Sequence, residues 1–427
     1  MVFSSPWNRH RPMSSSDILF SLASNFNYNH YLGVRVKFFR HSFGGLLVST
    51  LLSIVFNTHA VGPVFGDEIM EQINGSQPVQ HLEDLQTERL TRWQTAQVAY
   101  RRERYDIARY HINRLMRTST SPNDIDTLSR ALVSIAAADP WAFNLGFSLK
   151  PSSNIKRYTY NDTFETSLGV FVPAGGGEAE SGIGFDVATG LSYSFGLSDQ
   201  SLLSVRANLN HTIYDDAELN KTQIFFAVSR DSYSVGHRTT LEPFVRLRYD
   251  GHQDLTRRDV GLDLSSSWWM GDGAQLTATA LMERRSYFNS SYRNGPYSRL
   301  SVDYGFAPTS ETYFSFGGDI ARSVPEQSHL RYWEARLTAN SRYRIEYVGT
   351  VGFFLNLSAR TYDSIFPATN REREDKNVIA GVSFQPQGIE VFGARPQVEC
   401  KSERNTSNIA LYDFEAIDCG LSFKQSF

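Results

Sequence analysis

Charged side chains alternate with apolar ones along several segments of this chain, and that spacing decides what they can do. In residues 239–250, Glu242, Arg246 and Arg248 share one face of an extended chain, while apolar residues occupy the opposite face. A charge facing lipid would cost about 2–4 kcal/mol at the membrane midplane, so we expect these charges to line a water-filled interior. There they are either paired with each other or available to a solute. The residues selected by this pattern are Glu242, Arg246, Arg248, Asp263, Glu334, Arg336, Arg360, Arg395, Glu399 and Lys401.

No other set of residues has the types and spacing of a catalytic or metal site. The 10 histidines are scattered, and 2 cysteines are too few for a metal centre. Gly175 to Gly177 lack the lysine and hydroxyl residue of a phosphate-binding loop, so we interpret them as a surface loop. A net charge of −3 with 20% charged residues does not suggest nucleic acid. The sequence therefore predicts no enzyme, no metal and no cofactor.

The two cysteines, Cys400 and Cys419, fall in the last two predicted strands, at positions that face away from the charges. If the hairpin between those strands turns near Ile409, the cysteines lie opposite each other. An oxidising compartment would then allow a disulfide. A register shift of a few residues would instead carry them beyond the Cα separation of about 7 Å that a disulfide tolerates.

Segments of alternating character fill the chain from Trp141 onward, and their connections are as informative as their number. We predict fourteen strands, at 141–149, 183–196, 201–212, 221–230, 239–250, 256–269, 274–286, 297–306, 311–321, 330–342, 346–361, 374–385, 390–402 and 411–427. Tight turns at 197–200, 231–238, 270–273, 307–310, 343–345 and 386–388 alternate with longer loops. This asymmetry is typical of outer-membrane barrels. The predicted fold class is mainly β: a 14-stranded antiparallel transmembrane β-barrel over residues 141–427, preceded by a short all-α segment.

Aromatic residues mark the end of the chain and the predicted tight turns. Phe423 and Phe427 lie on the apolar face of the last strand, and a terminal aromatic residue of this kind is typical of the signal for outer-membrane barrel assembly. The barrel-assembly machinery and outer-membrane lipid are therefore expected partners. Near the turns, a girdle at the membrane interface would be formed by Trp268, Trp269, Tyr343 and Tyr347.

The N-terminal region has the features of an export signal. The apolar run 43–56 follows several basic residues and precedes the small residue Ala60. This run is shorter than the roughly 18 residues of a membrane helix, so we favour a signal peptide over residues 1–60 to the alternative of a membrane anchor. The stretch before the run is long, and Met13 is an alternative start. Residues 61–87 would then be a polar linker.

Residues 88–140 are predicted to form a short helical domain. The pattern from 88 to 118 is helical, a further helix is expected at about 124–138, and Asp139-Pro140 ends it. Small and large residues follow the spacing of a tetratricopeptide (TPR) hairpin, in which small side chains let two helices approach closely. An amphipathic plug or linker without repeat character is the alternative. The residues expected to pack between the TPR-like helices are Ala96, Tyr105, Ala108, Ile112 and Leu115.

Two stretches resemble a known family. Residues 141–145 (WAFNL) and 151–155 (PSSNI) look like the junction into the barrel of the surface lipoprotein assembly modulator (Slam) family. Residues 395–398 (RPQV), 407–413 (SNIALYD) and 423–427 resemble that family's closing hairpin. The resemblance implies a fourteen-stranded barrel and a periplasmic repeat domain that together move a lipoprotein, or a related secreted protein, across the outer membrane. It implies no catalytic residues and no nucleotide, since folding of the passenger outside is expected to supply the energy.

The short helical domain departs from this family's pattern. About one and a half repeats are present, fewer than the three or so that form an independent solenoid, which favours a small or secreted passenger. We expect the helices in the periplasm and the passenger to be encoded nearby. The alternative function is a diffusion channel for small solutes, which the mixed interior charges also suit. A channel predicts open conductance in a planar bilayer, whereas a translocator should be largely closed.

Overall fold

The computed structural model describes most of the chain beyond its N-terminal region. The described residues are 77–118, 122–173, 179–234, 236–251, 254–270, 274–309, 311–391 and 394–426. The expected signal peptide, Gly175 to Gly177 and Phe427 lie outside the described residues. Within these ranges, the structure contains no helix that is both long and apolar enough to cross a membrane.

Helices come first in the described part of the chain. They are α1 (Gln77–Arg101), α2 (Tyr105–Thr118) and α3 (Pro122–Ala138). Residues 77–87, expected in a linker, belong to α1 instead. Pro78 lies in the first turn, where its missing N–H leaves no helical hydrogen bond unmade, and no glycine or proline follows before the helix ends. Glu103 separates α1 from α2 with a left-handed φ of 59°.

The strands close into a barrel. They are β1 (Trp141–Ser152), β2 (Phe164–Thr166), β3 (Gly169–Phe171), β4 (Gly182–Ser198), β5 (Ser201–Ile213), β6 (Lys221–Ser234), β7 (His237–Asp250), β8 (Asp254–Trp269), β9 (Gln275–Tyr287), β10 (Gly295–Phe306), β11 (Thr312–Ser323), β12 (Tyr332–Ile345), β13 (Gly349–Ile365), β14 (Glu372–Pro386), β15 (Arg395–Ser407) and β16 (Phe414–Ser426). β1 and β4–β16 pair in sequence order, and β16 pairs antiparallel with β1. The predicted 14-stranded antiparallel barrel is confirmed. β2 and β3 form a separate small sheet within the first long loop.

Side chains sort to two faces with a period of two. In β12, Trp333 and Leu337 are 47% and 41% exposed on the outer surface, whereas Glu334 is 3% exposed on the inner surface. Trp268 faces outward, but its neighbour Trp269 faces inward and packs against the helices. The girdle prediction is therefore wrong for Trp269, because adjacent residues of a strand cannot both face lipid.

Connections differ in length between the two ends of the barrel, though less strictly than predicted. At the turn end the strands are joined by residues 199–200, 235–236, 270–274, 307–311, 346–348 and 387–394. At the loop end they are joined by 153–181, 214–220, 251–253, 288–294, 324–331, 366–371 and 408–413. The expected tight turn at 386–388 is wrong, because β15 begins only at Arg395. The turn predicted at 231–238 is shorter in the structure, because β6 runs to Ser234 and β7 begins at His237. Gly236 adopts the positive φ of 61° that a short hairpin requires.

The helices pack against each other and against the barrel wall. Leu202 and Tyr233, which face inward from β5 and β6 at the turn end, share one buried cluster with the helices. α3 approaches the wall closely at Gly196 of β4, where an added Cβ would lie 2.6 Å from Cγ1 of Val133. α3 therefore lies at the turn-end mouth of the barrel. The residues that the sequence assigned to helix packing all contribute to the cluster: Ala96, Ala108, Ile112 and Leu115 are buried in it, and Tyr105 packs against it.

A leucine at Gly196 should displace α3 from the wall, because its side chain would occupy the space of Val133. We expect Gly196→Leu to leave a folded barrel whose helices are cut several times faster by protease. Limited proteolysis measures the cutting, and the mobility shift between heated and unheated samples in a denaturing gel measures barrel folding. Gly318→Leu is the matched control, because an added Cβ there makes only ordinary contacts, 3.4 Å from Leu337 and 3.5 Å from the carbonyl oxygen of Arg336. Equal cutting rates in the two variants would contradict the packing of α3 on the wall.

Candidate functional site

The inner surface of the barrel carries the charges selected from the sequence. They lie on inward-facing positions of β7, β8, β12, β13 and β15. Those that form ion pairs are Glu242, Arg246, Glu334, Arg336, Arg360, Arg395 and Lys401. Arg248, Asp263 and Glu399 form no ion pair with another described residue. Most of the selected lumen charges are therefore paired with an opposite charge, and three of them are not paired within the described part of the chain.

One cluster of ion pairs spans β7, β8 and β9. A guanidinium nitrogen of Arg246 lies 3.3 Å from Asp259 and 3.2 Å from Glu283, and the side chains of both acids are 0% exposed. Arg257 and Arg285 flank the acids at 2.6 Å each, to Asp259 and Glu283 respectively. Strand register brings the members together, since Arg246 lies opposite Asp259 and Asp259 lies opposite Arg285.

Packing within this first cluster depends on a glycine. Gly261 faces inward between the two acids, and an added Cβ would lie 2.7 Å from both Cβ of Glu283 and the ring of Phe244. Arg246 stacks over the same Phe244 ring at 5.1 Å from its centroid. The missing side chain at Gly261 therefore lets an acid and an aromatic ring meet around one arginine.

A second cluster lies on β12 and β13. Glu334 accepts from Arg336 at 2.7 Å and from Arg360 at 2.8 Å, so one carboxylate balances two guanidinium groups. Arg336 also approaches Asp319 of β11 at 3.8 Å. Arg360 stacks over the ring of Tyr332 at 3.9 Å from its centroid. Arg360 thus has both an acidic partner and an aromatic packing surface, and the cluster lies within a few residues of the loop end.

The third group of ion pairs ties the first long loop to the inner wall. Arg157 of that loop adopts a left-handed φ of 54° and pairs with Glu403 at 3.1 Å and with Asp418. Lys401 lies 3.6 Å from the same Asp418. Glu403 is 1% exposed. The loop therefore enters the lumen and uses its own arginine to neutralise acids of β15 and β16.

Hydrogen bonds carry this loop across the loop-end mouth. Asn154, 1% exposed, donates to the carbonyl oxygen of Glu415 at 3.1 Å. Thr159 donates to the carbonyl oxygen of Ala410 at 2.6 Å, in the loop between β15 and β16. Further along, the backbone N–H of Ser167 donates to the carbonyl oxygen of Ala368 at 2.7 Å. The described part of the first loop thus lies over the sector of the mouth that runs from β1 to β13.

Sequence reasoning missed several members of these clusters. Asp259 and Glu283 occupy positions that the same alternation of inward and outward residues assigns to the interior. Applying that alternation to every strand would have selected them. Arg373 and Asp375 of β14, paired at 2.8 Å, could have been found in the same way. Arg157 gives no such signal, because it lies in a loop. The described residues contain no group of three or more His, Cys, Asp or Glu arranged to hold a metal ion.

The outer surface carries the two cysteines. Cys400 and Cys419 are register partners on β15 and β16, and they form a disulfide with a Cα separation of 4.0 Å. The bond ties together the last two strands on the lipid-facing side. Phe423, on the same face of β16, stacks near Phe147 of β1 with 6.0 Å between ring centroids. Both contacts lie beside the junction where β16 closes the barrel onto β1.

An apolar outer face, a charged lumen and complete closure define an outer-membrane β-barrel protein. Residues 141–427 match the family described as surface lipoprotein assembly modifier, and the chain belongs to that family. The family translocates lipoproteins to the cell surface, so the chain is a transporter rather than an enzyme. The resemblance found in the sequence is confirmed.

Comparisons with solved structures find more distant barrels. One is a FadL homologue of Pseudomonas aeruginosa, with 9% identity and a TM-score of 0.38, covering 72% of this chain and 93% of that chain. Another is the outer membrane channel DcaP of Acinetobacter baumannii, with 11% identity and a TM-score of 0.41, covering 67% of this chain and 97% of that chain. Scores this low indicate a general likeness and carry no argument about function. No curated protein matches the chain.

Removing the acid of the second cluster should leave the buried Arg360 and the half-buried Arg336 without the carboxylate that they share. We expect Glu334→Gln to lower the free energy of unfolding by about 3–5 kcal/mol, as for other broken buried ion pairs. Glu334→Gln combined with Arg360→Met removes both charges and should be more stable than Glu334→Gln alone. Urea unfolding in detergent micelles measures these differences. Arg404→Gln is the control, because its pair with Glu415 is exposed and worth about 1 kcal/mol or less. A double variant less stable than the single variant would contradict this account.

The disulfide should be present in the exported protein. We expect no free thiol when protein purified from the outer membrane is unfolded without reductant, and two after reduction. Replacing Cys400 and Cys419 by serine should lower the free energy of unfolding by about 3 kcal/mol, since the bond closes a loop with a sequence separation of 19. Two free thiols before reduction would show that the bond does not form.

Proposed function

We propose that the lumen is the path by which an unfolded lipoprotein, or a small secreted protein, leaves the periplasm. The passenger enters at the turn end, beside the helices, and emerges at the loop end. The observation that carries the proposal is a polar lumen with α3 at one mouth and the first loop over the other. Membership of the surface lipoprotein assembly modifier family supports a lipoprotein as the passenger.

The paired charges suit a path for an extended polypeptide. A pore conducts when each binding site is favourable enough to enter and weak enough to leave. Acids such as Asp259 and Glu283 are already neutralised by arginines of the wall, so a passing charged segment meets no strong opposite field. Arg248 and Asp263 lack an ion-pair partner in the described lumen and are the wall charges best placed for transient contact with the passenger.

The orientation follows from the connections of the barrel. Outer-membrane barrels place short turns in the periplasm and long loops outside. The turn end, with the helices, then faces the periplasm, and the first loop faces the cell surface. Helices α1–α3 offer a smaller docking surface than a long repeat domain, which supports a small passenger. The energy for release would come from folding of the passenger outside the cell.

Insertion of the barrel requires further partners. The C-terminal strand, with Phe423 on its lipid-facing side, would be recognised by the outer-membrane barrel-assembly machinery. Lipid then contacts the apolar outer surface. The passenger is best sought among exported proteins encoded beside this chain, because a translocator and its passenger are commonly needed together.

Surface delivery of the passenger tests this function. We expect an exported protein encoded next to this chain to reach the cell surface or the medium only when the barrel is present. Protease or antibody treatment of intact cells lacking both genes, with one or both restored, measures exposure. To test the route, a cysteine introduced at Asn356, which faces the lumen, is modified with a bulky maleimide and should block delivery. A cysteine introduced at Leu355, which faces lipid, is the matched control.

The possible results distinguish the passenger assignment, the lumen route and a solute channel. A passenger that stays in the periplasm beside a correctly assembled barrel would contradict the assignment of that passenger. Delivery that persists after modification of Asn356→Cys would contradict the lumen route. High steady conductance of the unmodified protein in a planar bilayer would instead support a solute channel.

A further inference from the structure

Two arginines stand on the outer surface of the barrel near the loop end. Arg258 of β8 and Arg284 of β9 occupy outward positions, and both are exposed. In the β8–β9 register Arg258 lies opposite Ser286, and Arg284 lies opposite Val260. The two arginines are therefore diagonal neighbours on adjacent strands, with Cβ atoms about 7 Å apart. Their guanidinium groups can reach one small anion together.

The height of this pair follows from the apolar band beneath it. On β8 the outward residues Val260, Leu264 and Trp268 are 49%, 42% and 38% exposed, and on β9 Met282 is 56% exposed. Arg258 and Arg284 each lie one outward position beyond that band, toward the loop end. Arginine on the lipid face is tolerated near the interface and disfavoured at the midplane. The pair therefore lies at the level of the lipid headgroups.

Neither arginine is neutralised within the described chain. Other outward arginines near the loop end have acidic partners: Arg322 pairs with Asp363 at 2.5 Å, and Arg404 pairs with Glu415 at 3.2 Å. Arg258 and Arg284 form no ion pair with any described carboxylate. Arg258 instead lies 6.0 Å from the ring centroid of Phe288, which is 51% exposed. The pair thus presents two free charges beside an exposed aromatic ring.

We propose that Arg258 and Arg284 bind the phosphate of a phosphorylated lipid headgroup in the leaflet at the loop end. Guanidinium groups match phosphate oxygens through paired hydrogen bonds, and two of them match one phosphate in charge. Phe288, which follows β9 at the loop end, would flank the headgroup rather than the acyl chains. The site is open toward the membrane and has no enclosing wall, so the lipid is held by its anchorage in the bilayer as well as by the arginines.

Lipid binding by the purified full-length protein tests the proposal. The probes are phosphorylated lipid A, the same lipid after dephosphorylation, and inorganic phosphate, each added to protein in a non-ionic detergent. Native mass spectrometry measures bound lipid, and competition measures relative affinity. We expect Arg258→Gln combined with Arg284→Gln to weaken binding of phosphorylated lipid A about tenfold or more, the effect of losing at least one charge-assisted contact.

Two controls keep the result specific. Arg230→Gln removes an exposed outward arginine at the turn end and should leave binding unchanged. The gel-mobility shift on heating should show that every variant is a folded barrel, because the substituted side chains are exposed. Unchanged lipid A binding in the double variant, or equal binding of the dephosphorylated lipid, would overturn the proposal. Competition by inorganic phosphate at the same concentration as lipid A would show that the arginines bind a free anion rather than a lipid, and it would also overturn the proposal.

Discussion

The pairing of β16 with β1 is the interaction on which the rest of this structure depends. Inside a membrane every backbone N–H and C=O must find a partner within the protein, so a sheet of this kind is stable only when no edge is left open. Residues 144–149 of β1 pair with residues 421–426 of β16 and supply that closure. The Cys400–Cys419 disulfide joins the neighbouring strands, so β15 and β16 behave as one covalent hairpin at this junction.

Closure fixes what each face can carry. Once the barrel is closed, every outward side chain meets lipid or headgroups and every inward one meets the lumen. Arginines and acids are therefore concentrated inside, where Arg246 lies between Asp259 and Glu283 and Glu334 serves two arginines. The helices and the first loop occupy the two mouths of this charged lumen. A passage with both ends partly covered suits a protein that exports a chosen passenger better than one that admits any solute.

Much of this arrangement follows from the sequence, because the alternation of side chains along a strand is a local steric property that does not depend on tertiary contacts. That alternation predicted fourteen strands and the inward position of residues such as Glu242 and Arg336. It could not predict which charges pair, since Arg246 and Glu283 come together only through register. The start of α1 was also missed, although Val79, Leu82 and Leu85 recur every three residues, because most residues around them are polar. Arg157 was missed because a loop residue does not follow the alternation of inward and outward side chains. The long connection 387–394 was missed because Pro386 suggests an immediate turn.

Contact between the lumen wall and a passenger in transit tests the central claim most directly. A photoreactive amino acid placed at Asn340, which faces the lumen from β12, can be compared with one at Ala339, which faces lipid on the same strand. During export, the lumen route predicts cross-links to the passenger from position 340 and none from position 339. Cross-links from position 339 alone would place the passenger outside the barrel wall and contradict the account.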